Sequence, residues 1–161
     1  MSNTLVYAFS SWGKSNSNIS EDVLNKLDLP IDRVIFQVRF DKQAFRDLVK
    51  KGYKQIVGLG QYPSGNTIRI EQVAHNIFGS KSKGYHPIDE GPEQIATDLE
   101  LTPTNNSALT FDAGRFVCNF SMYSILRSKR DNQKFAFLHI PKNMPRDLAV
   151  NYVEELLQQV L

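Results

Sequence analysis

The 161-residue chain is long enough to bury roughly two thirds of the surface its unfolded form exposes, so one core is expected. Its composition, 41% hydrophobic and 22% charged, lies near the soluble globular average and argues against a disordered or membrane class. A net charge of +2, with acids and bases spread along the chain, gives no electrostatic footprint for nucleic acid or an anionic membrane.

Short β-rich runs alternate with helical patterns. Thr4 to Phe9 reads as a strand, Ser20 to Leu27 as a helix, Arg33 to Val38 as a strand, Asp41 to Lys51 as a helix and Lys54 to Leu59 as a strand. That order predicts an α/β sheet covered by helices. Ser20 and Asp41 are the expected N-caps, Glu21 and Asp22 place acidic groups in a first turn, and Gly52 suits a C′ position. Thr67 to Asn76 reads as one further strand, with Ile68 and Ile70 on one face and Arg69 and Glu71 on the other. Residues Gly79 to Asn106 are rich in Gly, Ser, Pro, Asn and Asp with little periodicity, the pattern of a long functional or mobile loop that could close over a site. Beyond it Ser107 to Phe111 suits a strand, Gly114 to Lys129 a helix and Lys134 to Ile140 a strand. Pro145 to Leu161 reads as a closing helix with Leu148, Tyr152, Leu156 and Val160 down one stripe. No repeat or low-complexity tract interrupts the pattern, so residues 1–161 are expected to form a single domain.

The basic clusters Lys81-Ser82-Lys83 and Arg127-Ser128-Lys129-Arg130 are short. The second falls where a helix should end, so a solvated terminus complementing the dipole is expected rather than a binding patch. The amino terminus lacks a basic segment followed by an apolar stretch, and no run approaches the ~18 apolar residues of a membrane span, which points to a cytoplasmic protein. A single cysteine cannot form an internal disulfide, which fits a reducing compartment and leaves the thiol free.

That thiol is Cys118, at the start of a predicted helix and after a glycine-containing turn. Backbone N–H groups and the positive end of the helix dipole favour a thiolate there. Lowering a thiol pKa from about 8.5 to about 6 raises the ionised fraction at pH 7 roughly thirtyfold. The same N–H groups could receive an oxyanion. The bland alternative is a buried core cysteine. His139 closes the predicted strand Phe135-Ala-Phe-Leu-His-Ile, and in open α/β sheets sites gather at the carboxyl ends of strands, so it could meet Cys118 at one rim. His75 and His86 compete for the role of base. A thiol–imidazole pair also needs an acceptor to fix the imidazole tautomer, and Glu71 is a candidate, although a carboxylate on a strand face is usually solvated.

Other chemistries lack their signatures. Gly58-Leu-Gly60 misses the third glycine of a dinucleotide fingerprint, no Gly-x4-Gly-Lys-Ser/Thr phosphate loop occurs, no serine nucleophile elbow is present, and scattered histidines give no metal-ligand spacing. No metal or organic cofactor is expected.

Four blocks in order resemble one family. They are Phe9-Ser-Ser-Trp12 with Asn18-Ile-Ser20, then Gly58-Leu-Gly60-Gln61, then Ile70-Glu71-Gln72-Val73-Ala74-His75-Asn76. The fourth is Gly114-Arg-Phe-Val-Cys118-Asn119-Phe-Ser-Met122-Tyr123 with Phe137-Leu-His139-Ile-Pro141. The set resembles pyroglutamyl peptidase type I, cysteine peptidases that remove an N-terminal 5-oxoproline. The resemblance implies a three-layer α/β/α sandwich around a mixed, mostly parallel sheet, the phosphorylase/hydrolase-like fold. It implies Cys118 as nucleophile, His139 as general base and acid, and Glu71 as orienting carboxylate. Phe9 and Trp12 would hold the lactam ring with Phe116 and Val117 beside it, and Gln61 would fix the substrate end. Where the family has a basic residue after its glutamate this chain has Gln72, and where it has an arginine of the oxyanion region this chain has Lys81. The chain is also shorter than the family commonly is, around residues 29 to 41 and before Ser107. A peptide or small amide substrate follows, and a homo-oligomer is compatible. The rival readings are a related cysteine amidase with another small-acyl specificity and a catalytically silent binding module on the same fold.

Overall fold

A computed structural model describes residues 2–14 and 17–161. The chain runs β1 (Thr4–Phe9), α1 (Ile19–Lys26), β2 (Asp32–Phe36), α2 (Lys42–Lys50), β3 (Gln55–Tyr62), β4 (Ile68–Glu71) and β5 (Val73–His75). It continues through β6 (Phe78–Ser80), β7 (Gly84–His86), β8 (Gln94–Ala96), β9 (Ser107–Thr110), α3 (Val117–Ser128), β10 (Lys134–Pro141) and α4 (Arg146–Leu157). Six strands make one sheet in the order β2-β1-β3-β10-β4-β9. All its pairings are parallel except β10 with β4, so β4 and β9 run against the other four.

Alternation along the strands sorts the core into two layers. Val6, Ala8, Val57, Leu59, Ile68, Ile70, Leu138 and Ile140 face α1 and α4, meeting Ile19, Val23, Leu24, Ala149, Val153 and Leu156. Tyr7, Phe9, Ile56, Phe135 and Phe137 face α2 and α3, meeting Phe45, Leu48, Val49, Phe120, Met122 and Tyr123. The result is the expected three-layer α/β/α sandwich on a mixed, mostly parallel sheet.

Several local expectations shift. α1 is capped by Asn18, not Ser20: the extended Asn18 accepts from the Ser20 N–H at 3.0 Å, which puts Ser20 inside the helix, where its hydroxyl donates to Asn18 at 2.7 Å. Asp41 caps α2 as expected by accepting from the Ala44 N–H, and Gly52 takes the left-handed C′ conformation at φ +83°. The single strand expected over residues 67–76 breaks at Gln72, whose N–H continues toward Thr110 while its carbonyl accepts from Thr97, so β4 and β5 join different sheets. The expected long loop from Gly79 to Asn106 contains the hairpin β6–β7 and the pairing of β8 with β5. Strands of three residues are too short to show alternation in sequence.

α3 begins at Val117, because Gly114 sits at φ +84° and Phe116 is still extended. α4 ends at Leu157, and its buried stripe is Ala149, Val153, Leu156 and Leu157, one position away from the expected one; Leu148 is 43% exposed. The basic residues ending α3 do not simply stand in solvent. Lys129 pairs with Asp98 at 2.6 Å, and Arg127 donates to the Glu90 carbonyl. No helix among the described residues is long and apolar enough to cross a membrane.

Candidate active site

β3 and β10 lie side by side at the centre of the sheet, with His139 in register with Gly60. Residues 137 and 139 point to the α3 side, as do residues 69 and 71 of β4, where Phe137 pairs with Glu71 and His139 with Arg69. Because β4 runs antiparallel to β10, its terminal Glu71 comes to lie one step below the rim that His139 reaches. The two side chains meet there: His139 Nδ1 is 2.9 Å from Glu71 Oε1, with both residues buried. A carboxylate can only accept, so the proton sits on Nδ1 and Nε2 is left as the acceptor.

Cys118 is the second residue of α3 and is half-buried. The absence of a side chain at Gly60 is what lets it approach the histidine. A Cβ built at Gly60 would lie 2.6 Å from Cys118 Sγ and 3.0 Å from His139 Cδ2, so thiol and imidazole border the same gap. Among the described residues no side chain caps α3, so its first N–H groups next to the thiol are left without a cap. α3 is fixed from behind. Buried Asn119 accepts from the His75 N–H and donates to the carbonyls of His75 and Ile77, while Ser121 donates to the Cys118 carbonyl at 2.8 Å.

These groups open into a cleft of about 420 Å³. Cys118 and His139 line it, as do Phe9, Trp12, Gln61, Phe116 and Val117, and Glu71 lies behind His139. Phe9 is buried against Tyr7, and the rings of Trp12 and Phe116, both about half exposed, stand 5.8 Å apart at the mouth. The Gln61 oxygen accepts from the Ile19 N–H at 3.1 Å, which turns its amide nitrogen away from α1 as a free donor. No Asp or Glu is among the described residues that line the cleft; the one lysine there is Lys142.

The other sequence candidates fall elsewhere. Lys81 sits in the exposed turn between β6 and β7 and does not line the cleft. His86 lies on exposed β7, and His75 approaches the Phe111 carbonyl. Among the described residues no three His, Cys, Asp or Glu side chains gather where a metal ion could be held. Gln72 bonds the Ile70 carbonyl, and the cation beside Glu71 is instead Arg69, whose Nε donates to Glu71 Oε1 at 3.0 Å. Sequence reasoning put Arg69 on the Glu71 face without giving it a role, and it missed Tyr62 and Lys142. Only the pairing of β10 with both β3 and β4 brings them to one rim.

Burial, reinforced by the negative charge of Glu71, pushes the Cys118 thiol up to about 12, the reverse of the lowering expected from its place in a first helical turn. The thiol is therefore neutral at rest. Burial also works to raise the Glu71 carboxyl, but the hydrogen bond and charge of His139, then Arg69 and Thr110, outweigh it and hold the group below its ordinary value. Thr110 faces Glu71 across the β4–β9 pair; among the described residues neither Glu71 Oε2 nor Thr110 Oγ1, both buried, meets a partner in hydrogen-bond geometry.

A thiol and a carboxylate-backed imidazole at the carboxyl edge of an α/β/α sandwich is the layout of a thiol-dependent hydrolase. No family model matches the chain. It is 30% identical over 164 residues to pyrrolidone-carboxylate peptidase 1 of Caldanaerobacter subterraneus subsp. tengcongensis, a match covering 85% of this chain and 81% of that one. It is 26% identical to the pyrrolidone-carboxylate peptidase of Staphylococcus aureus, over 85% of this chain and 77% of the other. Among solved structures, the pyrrolidone carboxyl peptidase of Thermus thermophilus superposes with a TM-score of 0.82 at 19% identity, covering 98% of this chain and all of that one. The pyroglutamyl peptidase I of Bacillus amyloliquefaciens gives 0.77 at 21% identity, covering 94% and 92%. The chain belongs to the pyrrolidone-carboxylate peptidase family, also called pyroglutamyl peptidase.

Proposed function

We propose that the chain hydrolyses the amide that joins an N-terminal pyroglutamyl group to a peptide or small amine, with Cys118, His139 and Glu71 as its catalytic set. The observation that supports this most is the cleft itself: a thiol and an imidazole open into an aromatic-walled space with no carboxylate in its described lining. A small, flat, neutral lactam suits such walls, whereas a free α-ammonium would lose its hydration without a counter-ion. Phe9, Trp12, Phe116 and Val117 would hold the ring, and the Gln61 amide N–H₂ would bond a carbonyl of the bound end.

In the proposed reaction the Cys118 proton passes to His139 Nε2 as sulfur attacks the pyroglutamyl carbonyl carbon. The carbonyl oxygen becomes an oxyanion received by the first N–H groups of α3. His139 then gives its proton to the departing amine as the C–N bond breaks, leaving a thioester. A water deprotonated by His139 opens that thioester, releasing pyroglutamate and restoring the thiol. Glu71 keeps the Nδ1–H tautomer throughout and stabilises the imidazolium.

The test is release of a fluorescent amine from a pyroglutamyl amide in reducing buffer. The wild type is expected to turn over, Cys118→Ser to fall by about a thousandfold or more, and the corresponding glutaminyl amide with its free amine to be refused. A wild type inert toward the pyroglutamyl amide would overturn the reading, and turnover of other small acyl amides alone would assign a different acyl specificity to the same machinery.

A further inference from the structure

Glu71 presents its two oxygens unequally. Oε1 receives both His139 Nδ1, at 2.9 Å, and Arg69 Nε, at 3.0 Å, whereas buried Oε2 meets no hydrogen-bond partner among the described residues. The orientation of the carboxylate therefore depends on two donors at one atom, and one of them is a permanent cation. Arg69 reaches further: Nη2 donates to the Asp112 carbonyl at 3.0 Å, at the start of the turn that carries Ala113 and Gly114 into the cleft and leads to α3. Its guanidinium lies 4.2 Å from the centre of the Tyr62 ring, and that ring lines the cleft 5.4 Å from the imidazole of His139.

On the reading that this site is a thiol hydrolase, we infer that Arg69 is a positioning residue that sets the proton balance of the Glu71–His139 pair and ties the pair to both walls of the cleft. The groups facing His139 are Glu71 and Arg69 from β4, Cys118 from α3, Tyr62 from β3 and Lys142 beyond the end of β10. Only Glu71 among them carries a negative charge. The guanidinium shares Glu71 Oε1 with the imidazole and offsets part of the carboxylate's charge, which leaves His139 Nε2 to accept the Cys118 proton. Without it, the full field of a buried carboxylate falls on one imidazole, and the pair keeps its shared proton to higher pH. The Arg69 side chain is 23% exposed, so solvent screens its charge only in part.

The experiment compares wild type, Arg69→Met, Arg69→Gln and Arg69→Lys for turnover of a pyroglutamyl amide from pH 5 to 9. The neutral variants are expected to move the acid limb of kcat/KM upward by about one pH unit, and to lower kcat at pH 7 by about tenfold or more with KM changed less than about twofold. Arg69→Lys, which keeps the charge without the fork, should restore the limb and part of kcat. An unmoved limb in a folded neutral variant, or a loss confined to KM, overturns the inference; should Arg69→Met not fold, Arg69→Gln carries the same expectation. If the wild type proves inactive, the function proposed above fails independently of this point. The titration of the pair, followed by NMR at the His139 ring protons, then decides: an upward shift of about one unit in Arg69→Gln supports the inference, and no shift overturns it.

Discussion

Gly60 carries much of the site by having no side chain. Its missing Cβ is the space in which sulfur and imidazole face each other, and Phe137 Cζ crowds the same point at 2.8 Å. Gly60→Ala is expected to displace the thiol and to lower turnover at least about a hundredfold, since misplacement near 1 Å costs about that much. Circular dichroism and a thermal melt beside the assay would separate this from unfolding. The electrostatics make two further predictions. With the thiol near 12, the rate of iodoacetamide inactivation should keep climbing between pH 7 and 9; a plateau already at pH 7 would show a pre-formed thiolate. Glu71 is held below its ordinary value, so its ionised form adds stability above the usual carboxylate range near about 4.3, and that stability is lost as pH falls through the lower folded value. Urea unfolding from pH 3 to 6 should show this slope in the wild type and a flatter one in Glu71→Gln. That variant should also lose about a thousandfold in turnover for want of the right tautomer. Cys118 and His139 could be nominated from their places at a helix start and a strand end, Glu71 chiefly from the family resemblance, and the structure brings the three side chains to one place. Tyr62 could not, because strand pairing, which one-dimensional periodicity does not encode, makes it a neighbour of His139, and Lys142 just past β10 carries no motif that marks it.

At the scale of elements, the helix that carries Cys118 is held less by its own cap than by Asn119, whose side chain makes three hydrogen bonds to the backbone of residues 75–77. Asn119→Ala leaves those part-buried backbone groups without their partner. It should cost about 3 kcal/mol, a drop of roughly 6–12 °C in Tm, and should loosen α3 so that turnover falls with stability. The sequence marks Asn119 only as a neighbour of Cys118. Helices and long strands were legible because four or more residues suffice to show a period: β1 spans the residues expected, and α2 follows its cap Asp41. The residues from Gly79 to Asn106 were not, because three-residue strands held by partners outside themselves have no period to display. The α4 stripe failed by one position because Leu148 and Ala149 both fit a helical repeat, and packing buries the smaller.

For the whole molecule, the alternation of strands and helices was enough to expect a layered α/β sandwich, but not the order of strands within the sheet. That order has a consequence in time. The last strand in the chain, β10, fills the gap between β3 and β4, which are otherwise separated, and it brings the histidine with it. A growing chain that has already made Cys118 still has a split sheet with two bare inner edges and a sulfur without a proton acceptor. Insertion of β10 closes the sheet and sets His139 beside Glu71 and the Cys118 thiol in a single event, so the two inner edges and the site are completed together.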